Sequence, residues 1–228
     1  MTLPRIQVVA LDLDGTLLDT LTDLAGAANA MRQQLGLPPL PLERVKTYVG
    51  DGMASLVKRT LTDQRDGEPT PGLFEQGLEG FKRCYDQLLH DATRAYPDVE
   101  AGLQQMQAAG LRLACITNKP KRFTEPLLAS TGLAPFFELI LSGDSLAEKK
   151  PHPMPLLHAC EFFKVQPAHM AMIGDSINDI LAAKQAGCLS IAVPYGYRHA
   201  GPVEALGADH VVAGLVEAAD LLLNMGSH

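Results

Sequence analysis

The chain has two distinct patterns of hydrophobic and polar positions. Between residues 18 and 90, apolar side chains recur every three or four positions, as at Leu21, Leu24, Ala28 and Met31. This spacing is typical of amphipathic helices packed through one face. We expect no strand in this region, and helices near residues 21–35, 42–48, from 53 onward, and 74–88.

The remainder of the chain alternates short apolar runs with helical segments. Strands are predicted near residues 8–11, 111–116, 139–141, 170–173, 191–193 and 210–212, and helices near 99–109, 123–130, 155–163, 177–186 and 215–223. Repeated strand–helix units indicate a parallel sheet with right-handed crossovers and helices on both faces. The predicted fold class is therefore α/β, with a doubly wound, Rossmann-like sheet and an inserted α-helical cap.

The predicted boundaries follow from this change of pattern. The catalytic core is assigned to residues 1–17 and 91–225, and the α-helical cap to residues 18–90. Residues 226–228, Gly-Ser-His, resemble the remnant of an expression tag, so they are left out of the fold prediction.

Composition and charge exclude several classes of function. The 228 residues include 26 acids against 19 lysines and arginines, for a formal net charge of -7, which does not favour binding to nucleic acid or to an anionic membrane. No apolar run approaches the roughly 20 residues that span a bilayer. The four cysteines form no CxxC pair, as expected of reduced thiols. We expect a cytoplasmic monomer or homodimer.

Polar groups cluster where the predicted strands end. Asp12 and Asp14 directly follow the first strand, and two carboxylates so close together favour a bound cation. Ligands of open parallel sheets bind at the carboxyl ends of the strands. Similar clusters follow three later strands: Thr117-Asn118-Lys119-Pro120, Lys149-Lys150-Pro151, and Gly174-Asp175-Ser176-Ile177-Asn178-Asp179. The structural alternatives are a plain Asp-Gly turn, a solvated lysine pair and a helix cap. Under these alternatives, all four polar clusters would lie at strand ends by coincidence.

These segments carry a resemblance to a known family. DxDGT, an apolar strand ending in Thr, a Lys before Pro, and GDxxxD occur in that order along the chain. In these motifs the sequence resembles the haloacid-dehalogenase-like (HAD) phosphohydrolase superfamily. The segments 117–120, 149–153, 174–188 and Tyr195-Gly196-Tyr197 are similar to those of bacterial phosphoglycolate phosphatases, and neighbouring sugar-phosphate phosphatases share most of them.

The chemistry of phosphoryl transfer and this resemblance together suggest roles for the aspartates. Asp12 is the candidate nucleophile, which forms an aspartyl-phosphate, and Asp14 is the candidate general acid and base. The resemblance implies Mg²⁺ as cofactor, held by Asp12, Asp175 and the backbone carbonyl of Asp14. Asp179, one helical turn after Asp175, is expected to face the metal without binding it directly.

Other polar side chains are candidates for binding phosphate. Thr117, the Asn118 amide and Lys150 are assigned to the phosphoryl group, with Lys149 as the alternative to Lys150. The Thr16 hydroxyl is expected to orient Asp14, and a turn-stabilising hydroxyl is the alternative.

The cap supplies the candidates for substrate selection. Gly50-Asp51-Gly52 lacks the third glycine and the strand context of a dinucleotide site. By resemblance it is a cap loop that reaches the active site, where its backbone amides approach a substrate carboxylate. Lys46 and Arg59 are candidate partners for a substrate anion, although such residues are more often solvated charges on a helix surface.

The sequence thus predicts a Mg²⁺-dependent phosphomonoesterase whose partner is a small phosphorylated metabolite. The expected reaction is hydrolysis of 2-phosphoglycolate to glycolate and phosphate. Muramic acid 6-phosphate or a hexose phosphate are alternative substrates, and a β-phosphoglucomutase-like phosphomutase is an alternative activity. A sensor that binds a phosphometabolite without turnover is the alternative outside enzymes.

Overall fold

A computed structural model describes residues 5–89, 91–197 and 201–225. The predicted tag remnant at 226–228 lies outside these residues. The described strands are β1 (Val8–Leu11), β2 (Leu18–Asp19), β3 (Arg94–Ala95), β4 (Arg112–Ile116), β5 (Leu139–Leu141), β6 (Met170–Gly174), β7 (Leu189–Ala192) and β8 (His210–Val211). The described helices are α1 (Leu21–Gln34), α2 (Leu42–Lys46), α3 (Met53–Thr62), α4 (Pro71–Leu88), α5 (Val99–Ala108), α6 (Lys121–Ser130), α7 (Met154–Phe163), α8 (Ile177–Ala186) and α9 (Leu215–Met225).

Six strands form one parallel sheet in the order β5-β4-β1-β6-β7-β8. The order reverses at β1, because β4 and β5 extend the sheet on one side and β6 to β8 on the other. Such a reversal opens a crevice at the carboxyl end of the central strand, where ligands of doubly wound sheets bind. The predicted α/β class is confirmed.

Each face of the sheet is covered by helices. Val9 and Leu11 of β1 belong to a hydrophobic cluster that includes Leu103 of α5 and Leu215 of α9. The alternate residues Val8 and Ala10 of β1 belong to the opposite cluster, which includes Leu156 and Phe163 of α7 and Ala182 of α8. The strand period of two thus distributes its apolar side chains between two packed layers, which explains the continuous burial of β1.

Helices α1 to α4, here called the cap helices, pack around a separate hydrophobic cluster that contains Met31, Val57, Phe81 and Tyr85. The sequence places apolar residues at helical spacing in each of them, so burial of these faces holds the cap helices together. Phe123 of α6 joins the same cluster. None of the helices in the described part of the chain has the length and apolar surface that a membrane span requires.

The two segments that connect the cap helices to the sheet pair with each other. Leu18 and Asp19 of β2 pair antiparallel with Ala95 and Arg94 of β3. The expectation of no strand between residues 18 and 90 is therefore wrong at β2, because two residues are too short to show a period in the sequence. The domain boundaries 1–17, 18–90 and 91–225 remain predictions.

Candidate active site

The loops after β1, β4, β5 and β6 meet at the carboxyl edge of the sheet, under the cap helices. A cavity between them is lined by the following residues predicted for the site: Asp12, Asp14, Gly50, Gly52, Thr117, Asn118, Lys150 and Asp179. The parallel register places Leu11 opposite Cys115 and Ile173, so the residues that follow these three strands are neighbours. The expected convergence of the strand ends is present.

Asp12 is buried beside a lysine. Its Oδ1 accepts a hydrogen bond from Nζ of Lys150 at 2.9 Å, and its backbone N–H donates to the Ile173 carbonyl at 3.0 Å. Burial raises the pKa of Asp12 to about 6, and the Lys150 ammonium opposes that rise. Burial alone would lower the pKa of Lys150, but Asp12 and Asp179 outweigh it and raise the pKa above its usual range. Lys150 therefore keeps a fixed positive charge next to the candidate nucleophile.

Three buried carboxylates form a candidate metal centre. Ligand oxygens of Asp12, Asp175 and Asp179 lie within 4.8 Å of one another. Carboxylate oxygens are the donors that Mg²⁺ prefers. Burial, with the charge of Asp12, raises the pKa of Asp175 well above its ordinary value, so these acids repel one another and a divalent cation would relieve the repulsion. The donor set fits a divalent metal.

Asp175 is held by contacts that need small neighbours. The backbone N–H of Tyr197 donates to its Oδ2 at 2.6 Å. A Cβ on Gly196 would lie 2.2 Å from that oxygen, and a Cβ on Gly15 would lie 2.5 Å from it. Since real Cβ atoms do not approach so closely, both glycines are required where the backbone passes the carboxylate.

Asp179 makes contacts with two residues that the sequence did not predict for it. Its Oδ2 accepts hydrogen bonds from the Ser176 N–H at 3.0 Å and hydroxyl at 2.7 Å, which caps the start of α8. Its Oδ1 lies 2.6 Å from Nζ of Lys150. Asp179 therefore positions Lys150 as well as facing the carboxylate cluster, and its relation to a metal stays a prediction.

The threonines differ from the expectation. Thr16 Oγ1 donates to Oδ1 of Asp175 at 3.0 Å, whereas Thr20 Oγ1 donates to Oδ1 of Asp14 at 2.7 Å. The prediction that Thr16 orients Asp14 is wrong. The chain turns at Gly15, whose φ is 90°, and this turn directs Thr16 back towards the end of β6. Thr20, just before α1, is left beside Asp14.

Lys119 is a site residue to which sequence reasoning gave no role. Its Nζ donates to both carboxylate oxygens of Asp14, at 3.0 and 3.1 Å, and to Oη of Tyr85 at 2.8 Å. Burial would lower the pKa of Lys119, but the Asp14 carboxylate outweighs it and raises the pKa above its usual range. Burial also raises the pKa of Tyr85 to about 12, so the phenol stays neutral. The only available signal was a lysine at a strand end, within the segment 117–120.

The Asn118 side chain makes two contacts within the protein that the sequence did not predict. Its Nδ2 donates to the Lys150 carbonyl at 2.8 Å and to the Gly50 carbonyl at 3.1 Å, so both side-chain N–H groups are used within the protein. These two bonds position the backbone of Lys150 and of Gly50, and the assignment of Asn118 to the phosphoryl group stays a prediction. Thr117 lies in the cavity wall, where its hydroxyl oxygen accepts from the Lys119 N–H at 3.2 Å. Its role in binding phosphate stays a prediction.

Residues 50–52, here called the cap loop, dock on the sheet edge. The Gly50 carbonyl accepts from Nδ2 of Asn178 at 3.3 Å in addition to Asn118, and the Asp51 carbonyl accepts from Nζ of Lys149 at 2.7 Å. Lys149 thus contacts the cap loop, while Lys150 contacts Asp12. The loop lies where the sequence predicted a cap element over the site.

Arg59 is paired inside the cap. Its guanidinium lies 2.5 Å from Oδ2 of Asp51 and donates to the Tyr48 carbonyl at 3.1 Å. Asp51 balances the charge of Arg59, and a role for Arg59 as partner of a substrate anion stays a prediction. Arg59 instead holds the cap loop in shape.

Comparisons with known proteins agree with this geometry. The family model described as "Haloacid dehalogenase-like hydrolase" matches residues 9–193. Proteins named phosphoglycolate phosphatase from Nitrosospira multiformis and Thiobacillus denitrificans are 50% and 51% identical over 217 and 214 residues. These alignments cover 95% and 94% of this chain, and 96% and 94% of the relatives.

Solved structures have the same fold. A crystal structure described as a predicted phosphoglycolate phosphatase from Haemophilus somnus matches with a TM-score of 0.90 and 32% identity, over 96% of this chain and 98% of the other. CbbY from Rhodobacter sphaeroides, in complex with phosphate, matches with a TM-score of 0.77 and 26% identity, over 93% and 96%. The chain therefore belongs to the haloacid dehalogenase-like hydrolases and is a phosphoric monoester hydrolase of the phosphoglycolate phosphatase-like kind.

Proposed function

We propose that this phosphatase hydrolyses 2-phosphoglycolate to glycolate and phosphate, with Mg²⁺ as cofactor and an aspartyl-phosphate as intermediate. The names of the relatives that are about half identical to it support the substrate. The observation that carries the chemistry is the buried pair of Asp12 and Lys150, 2.9 Å apart at the end of the central strand. A carboxylate held beside a fixed cation can approach an anionic phosphate that an isolated carboxylate would repel.

The first step transfers the phosphoryl group. A carboxylate oxygen of Asp12 forms a bond to phosphorus, and the bond from phosphorus to the bridging oxygen breaks. The leaving oxygen takes its proton from Asp14, which becomes a carboxylate. Lys150 and the Thr117 hydroxyl bind the phosphoryl oxygens while charge is redistributed.

The second step returns Asp12 to its starting state. Asp14, now a carboxylate, accepts a proton from a water molecule as the water oxygen forms a bond to phosphorus. The bond between phosphorus and Asp12 breaks, so inorganic phosphate and the free carboxylate are formed. Thr20 and Lys119 hold Asp14 on this side of the cavity through contacts of 2.7 and 3.0 Å.

The proposed metal ligands are Asp12, Asp175 and the backbone carbonyl of Asp14, with Asp179 close by. When bound, Mg²⁺ supplies a positive charge that neutralises phosphoryl oxygens and fixes their orientation. Thr16 and the Tyr197 N–H orient Asp175 for this purpose. The docked cap loop limits the access of bulk water to the phosphoryl group.

A panel of phosphate esters compared by kcat/KM tests this proposal. The panel contains 2-phosphoglycolate, muramic acid 6-phosphate, glucose 6-phosphate and β-glucose 1-phosphate. We expect the highest value for 2-phosphoglycolate. A higher value for a sugar phosphate would make that ester the substrate in place of 2-phosphoglycolate. Formation of glucose 6-phosphate from β-glucose 1-phosphate would indicate a phosphomutase. Binding without any turnover would indicate a sensor. The cytoplasmic location expected from the sequence stays a prediction.

A further inference from the structure

Of the described residues, two lysines line the cavity, and they contact different carboxylates. Lys150 is bound to Asp12 and Asp179, on the side of the candidate nucleophile. Lys119 is bound to Asp14 and Tyr85, on the side of the candidate general acid. If Lys150 binds the phosphoryl group, then Lys119 is a second cationic position in the cavity, available to a second negative charge on the substrate.

The position of Lys119 relative to Asp14 indicates which part of the substrate Lys119 faces. In the proposed reaction Asp14 donates its proton to the bridging oxygen, so the leaving group lies next to Asp14. Lys119 Nζ is 3.0 Å from Oδ1 and 3.1 Å from Oδ2 of that carboxylate. In phosphoglycolate the carboxyl carbon is separated from the bridging oxygen by a single methylene group. A carboxylate there falls within reach of the same ammonium.

The burial of Lys119 makes its positive charge selective for anionic leaving groups. Its side chain is 3% exposed, and its ammonium lies 4.8 Å from the centre of the Tyr85 ring. A buried cation is stable only when anions or hydrogen-bond acceptors surround it. The protein gives this ammonium one carboxylate and one phenol as partners. The carboxylate of an acidic leaving group adds a second anion beside it, and a neutral leaving group does not.

The rest of the cavity wall disfavours polyhydroxylated leaving groups. Apolar side chains from the cap helices, the loop before α3 and α6 line it: Leu24, Val49, Met53, Leu56, Phe81 and Phe123. A sugar that enters such a wall leaves hydroxyl groups without hydrogen-bond partners, which costs binding free energy. A short acid presents a single methylene to the apolar wall and its carboxylate to Lys119.

We propose that Lys119, supported by the Tyr85 hydroxyl, is the residue that selects substrates with a carboxylate next to the phosphoester, by binding that carboxylate directly. This inference rests on the proposed phosphatase reaction and names a specificity residue for it. Tyr85 belongs to α4, so the cap helices complete the carboxylate position from above while Lys119 provides the charge from the sheet edge.

The test compares two substrates of equal length, 2-phosphoglycolate and 2-hydroxyethyl phosphate, in the wild type and in Lys119→Met. Methionine keeps the unbranched shape and removes the charge. Because Asp14 also loses a partner, both kcat/KM values fall, but we expect the preference for the carboxylate to fall by about 30-fold or more. The inhibition constant of inorganic phosphate should change little, since phosphate binds at Lys150. An unchanged preference would overturn the proposal.

Tyr85→Phe provides a second variant that keeps the packed ring. It should reduce the same preference by about 3- to 10-fold, as expected for the loss of one hydrogen bond, and an equal loss on both substrates would contradict the support assigned to Tyr85. The wild type separates this inference from the proposed substrate. If the wild type prefers another carboxylated ester, such as 2-phospholactate, and Lys119→Met removes that preference, 2-phosphoglycolate is lost as the substrate and the role of Lys119 is supported.

Discussion

Nδ2 of Asn178, on α8, donates a hydrogen bond to Oδ1 of Asp51, in the cap loop, at 2.7 Å. The two residues are 127 positions apart in the chain. Asn178 follows the metal-binding candidate Asp175 by three residues, so the cap loop is attached to the same segment that supplies the carboxylate cluster. A hydrogen bond thus links the position of the cap loop to the segment that carries Asp175.

Two glycine substitutions test the role of the cap loop. Gly50 and Gly52 have φ values of 120° and 87°, so alanine strains the backbone at both positions. A Cβ on Gly52 would also lie 2.8 Å from Nζ of Lys149 and 3.1 Å from the Asn118 carbonyl, while a Cβ on Gly50 meets no atom within 4 Å. We expect Gly52→Ala to change the ratio of kcat/KM between phosphomonoesters by about 10-fold or more, because it displaces the loop from the sheet edge.

Gly50→Ala is the matched control for backbone strain. It should lower thermal stability to a similar extent and leave the ratio between substrates closer to that of the wild type. If each variant changed kcat/KM by the same factor for every phosphomonoester, the cap loop would have no part in specificity.

The two threonines should affect different steps. Thr16→Val removes the hydrogen bond to Asp175, and Thr20→Val removes the hydrogen bond to Asp14. We expect the first variant to raise the Mg²⁺ concentration for half-maximal activity by about 10-fold or more. The second should lower kcat by about 10-fold with little change in that concentration. Mg²⁺ titrations of activity measure both, and the opposite pattern would reverse the roles assigned to Asp14 and Asp175.

Asp12→Asn tests the nucleophile. We expect kcat to fall by about 10⁴-fold or more, because an amide cannot form the acyl phosphate. The fold should persist, since Lys150 keeps Asp179 as a charged partner at 2.6 Å. Circular dichroism and a thermal melt check the fold, and phosphate release checks the rate. Turnover near that of the wild type would remove Asp12 from the mechanism.

Metal binding should depend on pH in a defined direction. Burial raises the pKa of Asp12 from 3.8 to about 6 in the metal-free protein. Between these values the folded state holds a proton that the unfolded state has lost, so this group adds stability as the pH falls through 6 and loses it as the pH rises. A metal must displace that proton, so we expect Mg²⁺ to raise the melting temperature more at pH 7.5 than at pH 5.5.

Excess chelator at pH 7.5 should abolish activity, and added Mg²⁺ should restore it. Asp175→Asn should remove the increase in melting temperature that Mg²⁺ causes. An equal increase at both pH values, or full activity in excess chelator, would contradict the proposed metal centre.

Much of the fold followed from local patterns. The predicted helix at 177–186 and strand at 139–141 agree with α8 and β5, and most other elements differ only at their ends. These elements were predictable because their apolar periods are long enough to be distinctive. The strand β2 was not, since two residues carry no period and its pairing with β3 depends on a chain reversal more than 70 positions long.

The sequence by itself determined which edge of the fold carries the site. Asp12, Lys150 and Asp175 each follow an apolar strand. Parallel strands place their carboxyl ends at one edge of the sheet, independently of the conformation of the loops. Tertiary structure alone decided the partners: Thr20 beside Asp14, Thr16 beside Asp175, and Tyr85 beside Lys119. The strands and their parallel arrangement can be inferred from periodic local patterns, but a hydrogen bond depends on side-chain directions over a few ångströms. Those directions are fixed by the turn at Gly15 and by the packing of the cap helices.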